Sequence, residues 1–114
     1  MQVVYICGAY RNKAVNGIHE NIEKARKVAV QYWKAGYTVI CPPMNSAMMD
    51  GICDDNVFLE GYLELLRRSD IVVMLLGWEK SEGARREHIE AQAYNKTIYY
   101  VGKKLTGEPL VVPN

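Results

Sequence analysis

Short apolar runs alternate with longer amphipathic segments along the chain. Four runs are rich in β-branched and aromatic residues and end at Gly, Pro or polar residues, a pattern typical of buried strands. Between these runs, apolar residues recur at helical spacing. The predicted strands are Gln2–Cys7, Tyr37–Cys41, Asp70–Leu76 and Thr97–Val101. The predicted helices are Ile18–Ala35, Asn56–Arg68 and Gly83–Asn95.

Strands that alternate with helices predict a parallel sheet, because parallel strands need a crossover connection. We therefore expect an α/β fold in a single domain over residues 1–114. It would be an open parallel sheet of four to five strands with helices on both faces, Rossmann-like or flavodoxin-like. The tail Glu108–Asn114 could add the fifth strand or contact a neighbouring subunit. Asn16 is expected to cap the first helix and Gly36 to end it.

Three predicted loops follow strands and mark the expected site, since ligands bind beyond the carboxyl ends of parallel strands. They are Gly8–Asn16, Pro42–Asp54 and Gly77–Glu82. The second is long and has no periodic pattern, and such loops in a compact domain are often functional.

Composition removes several classes of function. The net charge is +1 in 114 residues, which argues against a nucleic-acid polymer as partner. No apolar run reaches the ~18 residues of a membrane helix and no signal peptide is evident, so we expect a cytoplasmic protein. Cys7, Cys41 and Cys53 are interpreted as reduced thiols. His19 and His88 join no cluster of ligands, and neither a metal nor a cofactor is expected.

Two loops carry candidates for anion binding. Gly8 allows a sharp turn after the first strand, and Arg11 follows with a guanidinium suited to phosphate or carboxylate; the alternative is a solvated surface arginine. Ser81 stands at the N-cap of the third helix, where it and Gly83 could form an anion pocket. Simple helix capping is the alternative there, and the two roles are compatible.

Glu87 lies early in the same helix, on one side with Ala84, His88 and Ala91. A carboxylate between small residues on a partly buried face is unusual and is a candidate for catalysis. The alternative is a surface glutamate paired with an arginine, and the pattern leaves both open. The field of the helix N-terminus is expected to keep Glu87 ionised.

Aromatic residues adjoin these candidates. Tyr5 and Tyr10 are either core residues or phenols that orient a carboxylate. Trp78 could stack on a base or be a half-buried residue at the rim. His88 is expected to be structural.

The stretches "VVYICGAYRN" and "SDIVVMLLGWEKSEGARREHIEAQAYNKTIYY" together resemble the nucleoside 2-deoxyribosyltransferase-like superfamily, and within it a compact family common in bacteriophage genomes. The resemblance covers nearly the whole chain. It implies that Glu87 is the nucleophile on C1′ of the sugar and that Tyr5 contacts it. It also implies that Arg11 and Ser81 hold a 5′-phosphate, as in deoxynucleoside 5′-monophosphate N-glycosidases. Transferases that act on unphosphorylated nucleosides carry an aspartate at the position of Ser81.

One position departs from that pattern. In the enzymes of the superfamily, one aspartate opens the third strand and another stands eight residues before it. The earlier aspartate serves the leaving base. Asp70 opens the strand here, and Tyr62 stands at the earlier position. Glu60 and Glu64 are expected to point away from the face of Tyr62, which leaves Asp54 and Asp55 as possible acids.

The resemblance implies an N-glycosidic bond hydrolase or transferase that acts on a nucleoside 5′-monophosphate, with a homodimer or larger homo-oligomer as the assembly. A protein that binds a nucleotide or nucleotide signal without turnover is the alternative, and a structural phage protein with a vestigial pocket is a third. The segments "PLVVP" and "MNSAMM" are candidate subunit contacts or local core.

Overall fold

A computed structural model describes residues 1–10 and 15–101, except for the side chain of Val15. Arg11 and the tail Glu108–Asn114 lie outside the described residues. The strands are β1 Val3–Cys7, β2 Thr38–Ile40, β3 Ile71–Met74 and β4 Thr97–Tyr100. The helices are α1 Val15–Lys34, α2 Pro42–Asn45, α3 Asp55–Arg67 and α4 Glu82–Ala93, with a short 3₁₀ helix at Trp78–Lys80.

The four strands form one parallel sheet in the order β2-β1-β3-β4, which confirms the predicted α/β fold. The chain leaves β1 toward β2 and then crosses back to β3 on the other side of β1. The direction of winding therefore reverses between β1 and β3. Their carboxyl ends lie side by side, with Cys7 opposite Met74, and such a switch point is where open α/β sheets bind ligands.

Alternate residues of β1 enter two separate cores, because successive side chains of a strand point to opposite faces. Val4 and Ile6 pack in the core that includes residues of α1. Tyr5 and Cys7 pack in the core that includes residues of α3 and α4. The helices thus cover both faces, and Tyr5 is directed toward the α3 and α4 side with no exposed surface.

Two helix starts differ from the prediction. Helix α1 begins at Val15, so Asn16 lies within its first turn and does not cap it; Gly36 ends the helix as predicted, with φ +94. The segment after β2 was expected to be a loop throughout, but α2 opens it. Pro42 occupies the first helical turn, where its fixed φ is favourable and its missing N–H costs nothing.

The segment "MNSAMM" is not local core. Its three methionines are between 41% and 57% exposed, and a subunit contact there stays a prediction. The described helices include none that is long and apolar enough to cross a membrane.

Gly8 is needed for packing and not for a sharp turn, contrary to the prediction. Its φ is not in the left-handed region, whereas Gly36, Gly51 and Gly77 have positive φ. A Cβ on Gly8 would lie 2.6 Å from Leu75 Cδ1 and 2.9 Å from Leu75 Cβ. The absence of a side chain lets the ends of β1 and β3 approach each other.

Substitution of Gly8 by Ala should therefore lower the free energy of unfolding by about 1–3 kcal/mol, the usual cost of overpacking. Gly61→Ala is the matched control, because a Cβ there meets no described atom within 4 Å and alanine favours a helix interior by roughly 0.5–1 kcal/mol. Urea denaturation of both variants checks this. A Gly8→Ala protein as stable as the parent would refute the packing role.

Candidate active site

The N-terminus of α4 lies at the edge where β1 and β3 end. Ser81 caps the helix, as predicted: its Oγ accepts a hydrogen bond from the N–H of Ala84 at 3.2 Å. Its backbone oxygen accepts from the N–H of Arg85 at 2.9 Å. Helix geometry leaves the N–H groups of Glu82 and Gly83 without an intrahelical acceptor. A Cβ on Gly83 would meet no described atom within 4 Å, so the described residues leave the first turn of α4 open beside Gly83.

Glu87 is buried in the second turn of α4, with 9% of its surface exposed. The Tyr5 hydroxyl donates a hydrogen bond to Glu87 Oε2 across 82 positions of sequence. The alternative of a surface glutamate paired with an arginine is wrong. Arg85 donates to the backbone oxygen of Glu79 at 2.7 Å, and Arg86 pairs with Glu60 at 3.8 Å.

Burial raises the pKa of Glu87 to about 7, and the hydrogen bond from Tyr5 acts in the opposite direction with a smaller effect. Burial therefore acts against the expected effect of the helix N-terminus, which was to keep Glu87 ionised. The favourable field of a helix is concentrated in its first turn, and Glu87 lies beyond that turn. Near neutral pH, the protonated and the ionised carboxyl are therefore both populated, and the ionised form is the one able to act as a nucleophile.

Two further groups share this buried space. Burial, followed by the charge of Glu87, raises the pKa of Tyr5 and of Cys7 well above their ordinary values. Tyr5 therefore remains a hydrogen-bond donor at neutral pH, and the Cys7 thiol donates to the backbone oxygen of Ala84 at 3.7 Å. Sequence reasoning did not place Cys7 here. Its position could have been predicted from the sequence, because Cys7 follows Tyr5 by two residues on a strand and such side chains lie on one face.

Tyr10 links the first loop to the segment after β2. Its hydroxyl accepts a hydrogen bond from the N–H of Met48 at 2.7 Å, and its backbone oxygen accepts from Asn21 Nδ2 at 3.2 Å. It is half-buried. The structure thus shows Tyr10 as a connection between two loops at the site's edge, and its contact with substrate stays a prediction.

Trp78 belongs to an aromatic group at the same edge. Its ring centroid lies 4.3 Å from that of His88 and 6.3 Å from that of Tyr100. His88 Nε2 lies 2.7 Å from the Tyr100 hydroxyl, so His88 has the structural contacts expected of it. Trp78 is half-buried, and a stacked base remains a prediction.

The candidate acids do not accompany Glu87 into the core. Asp54 caps α3, with its Oδ1 accepting from the N–H of Asn56 at 2.9 Å. Asp54 and Asp55 are both exposed. Within the described residues, Glu87 is the one buried charged side chain, and no group of three or more possible metal ligands occurs there.

A family model described as "Domain of unknown function (DUF4406)" matches residues 2–100. No curated protein is significantly similar in sequence. The fold is similar to the solved structure of a 2-deoxyribosyltransferase from the psychrotolerant bacterium Bacillus psychrosaccharolyticus, with a TM-score of 0.68 over 86% of this chain and 70% of that chain. At 16% identity, the likeness establishes a shared fold, and the predicted deoxyribosyltransferase-like fold is confirmed.

The raised pKa of Glu87 predicts a pH-dependent stability. Below pH 4.5 the carboxyl is protonated in both the folded and unfolded states; above about pH 7 the folded state must hold a buried charge. Stability from this group therefore falls as pH rises through that window. Glu87→Gln removes the titration while its amide oxygen can still accept from Tyr5.

As the pH rises through this window, Glu87→Gln should thus become more stable relative to the parent. The gain in its free energy of unfolding over that of the parent should reach up to about 3 kcal/mol, at about 1.4 kcal/mol per pKa unit. Urea denaturation at a series of pH values measures it. A difference that does not change with pH would show that the carboxyl titrates normally.

Proposed function

The chain belongs to the family described as Domain of unknown function (DUF4406), and from the site that its fold builds we propose that it cleaves the N-glycosidic bond of a nucleoside 5′-monophosphate through Glu87. The observation that carries this proposal is the buried carboxylate of Glu87, held by Tyr5 at the switch point of the sheet. Burial of an ionisable group costs stability, and such perturbed groups cluster at functional sites.

The structural neighbour supports the choice of reaction. That protein is a 2-deoxyribosyltransferase, so the fold is known to accommodate chemistry at a nucleoside sugar. We therefore assign C1′ of a sugar as the atom that faces Glu87. Water as the acceptor gives hydrolysis, and a second base in its place gives transfer.

The helix mouth is the proposed phosphate site. Ser81 and the N–H groups of Glu82 and Gly83 supply hydrogen bonds, and the positive end of the helix favours an anion. Ser81 and Glu87 are about 9 Å apart along the axis of α4, at 1.5 Å per residue. This separation suits a phosphate at the helix mouth and C1′ near the carboxylate. Arg11, outside the described residues, is proposed as the further phosphate ligand.

The steps follow from these positions. Tyr5 holds Oε2 of the ionised Glu87, which leaves Oε1 to attack C1′. The C1′–O bond forms as the C1′–N bond breaks, and the electron pair remains on the base nitrogen, which takes a proton from solvent. Water then attacks C1′, releases Glu87 and loses its proton to solvent, so two displacements retain configuration.

Binding without turnover is the second candidate function. It is favoured by one observation: among the described residues, no second carboxylate is buried beside Glu87 to protonate the leaving base. A missing general acid typically costs about 10²–10⁴-fold in rate. The same pocket would then retain a nucleotide and release no base.

Incubation of the protein with a panel of nucleoside and deoxynucleoside 5′-monophosphates should release free base. Glu87→Gln should reduce the rate by roughly a thousandfold or more, since a nucleophile is lost, although the nucleotide still binds. Chromatography of the base measures release, and thermal shift measures binding. Binding without base release would support the second candidate, and no shift with any nucleotide would contradict both.

Ser81→Asp is the control for the phosphate site. Aspartate also caps helices, so α4 should persist, but its charge repels a phosphate at the helix mouth. The variant should lose affinity for monophosphates, and its affinity for the unphosphorylated nucleosides should be unchanged. An equal loss for both would indicate damage to the fold.

A further inference from the structure

Helix α3 presents a second phenol beside the Tyr5–Glu87 pair. Tyr62 packs against the core cluster that contains Tyr5, Cys7 and Ala84. Its phenol lies near enough to Tyr5 that its charge would raise the pKa of Tyr5. Tyr62 is half-buried, unlike the fully buried Tyr5. It therefore lies at the edge of the core that contains Tyr5.

The single proton of this phenol is already committed. The Tyr62 hydroxyl donates to Ser46 Oγ at 2.7 Å, and Ser46 Oγ donates to the backbone oxygen of Pro42 at 3.5 Å. A phenol has one proton and two lone pairs. As long as Ser46 donates to Pro42, the Tyr62 oxygen can offer a ligand only an acceptor.

Glu60 and Glu64 of α3 are directed elsewhere, as predicted. Glu60 pairs with Arg86 at 3.8 Å and Glu64 pairs with Arg68 at 3.5 Å, all four being well exposed. On the side of α3 that packs against the Tyr5 cluster, the described polar group near Tyr5 is the phenol of Tyr62.

We propose that Tyr62, oriented by Ser46, faces the base of the bound nucleotide and selects bases that carry an exocyclic amino group. Such an amino group donates to the Tyr62 oxygen. A keto oxygen at the same position would place two acceptors against each other and leave both unpaired, which is the costly arrangement. The ligand class is thus the cytosine and adenine nucleotides, in preference to their uracil and hypoxanthine counterparts. This inference rests on the proposed function and concerns the same site.

Two matched pairs of substrates isolate this contact. Deoxycytidine and deoxyuridine monophosphates differ in an amino or keto group and in the proton on the neighbouring ring nitrogen, as do deoxyadenosine and deoxyinosine monophosphates. Comparison with Tyr62→Phe separates the contribution of the amino or keto group at Tyr62 from that of the ring nitrogen. The ratio of kcat/KM within each pair should favour the amino member by about tenfold, which corresponds to one neutral hydrogen bond. Dissociation constants measured by calorimetry on Glu87→Gln should show the same preference without turnover.

Two variants separate selection from a structural role. Tyr62→Phe should bring both ratios close to one, because the ring stays and the acceptor is lost. Ser46→Ala should free the phenol proton to donate to a keto oxygen, and so reduce or reverse the preference. A structural role alone would lower both members of a pair equally and leave the ratios unchanged.

The outcomes distinguish the two proposals. A parent protein without amino preference, or a preference that persists in Tyr62→Phe, overturns the role of Tyr62 whether or not base is released. If no base is released but the dissociation constants still show a preference that depends on Tyr62, the proposed reaction is overturned and the role of Tyr62 is supported. Failure of all four nucleotides to bind overturns both.

Discussion

The hydrogen bond from Tyr5 to Glu87 joins β1 to α4, the last of the described helices, and the site depends on it. Packing alone requires neither polar group: the ring of Tyr5 fills the core without its hydroxyl, and α4 could pack with an apolar residue in place of Glu87. A buried carboxylate is costly, and its burial raises its pKa to about 7. The fold thus carries a cost in stability at the switch point of its sheet, where β1 and β3 end.

That cost follows from the arrangement of the sheet. Gly8 lets the ends of β1 and β3 come close, and Leu75 fills the space where its side chain would have been. Tyr5 and Cys7 then face the helix that Ser81 starts. The proposed phosphate and sugar positions lie along one helix because a strand ending at the switch point must be followed by a helix that starts there. The proposed contact with the base comes instead from α3, where Tyr62 bonds to Ser46 in the segment after β2.

Patterns local in the sequence predicted the fold well. Periodicity predicted the four strands and the three long helices. The cap at Ser81 was predicted from a serine placed directly before the third helix. Contacts between distant segments were not predictable in the same way. The protonation of Glu87 depends on how deeply α4 packs, and the bond between Tyr62 and Ser46 depends on where α2 places the segment after β2. The helix at Pro42 was missed because two adjacent prolines suggest a loop, although proline is favourable in a first helical turn.

The burial of Glu87 against Tyr5 is the central claim, and NMR titration of the labelled Glu87 carboxyl carbon tests it most directly. The account predicts a midpoint near pH 7 in the parent protein. In Tyr5→Phe the midpoint should be higher, because the hydrogen bond that favours the ionised form is removed while the burial remains. A midpoint near 4.5, the ordinary pKa of a glutamate, in both proteins would contradict the account.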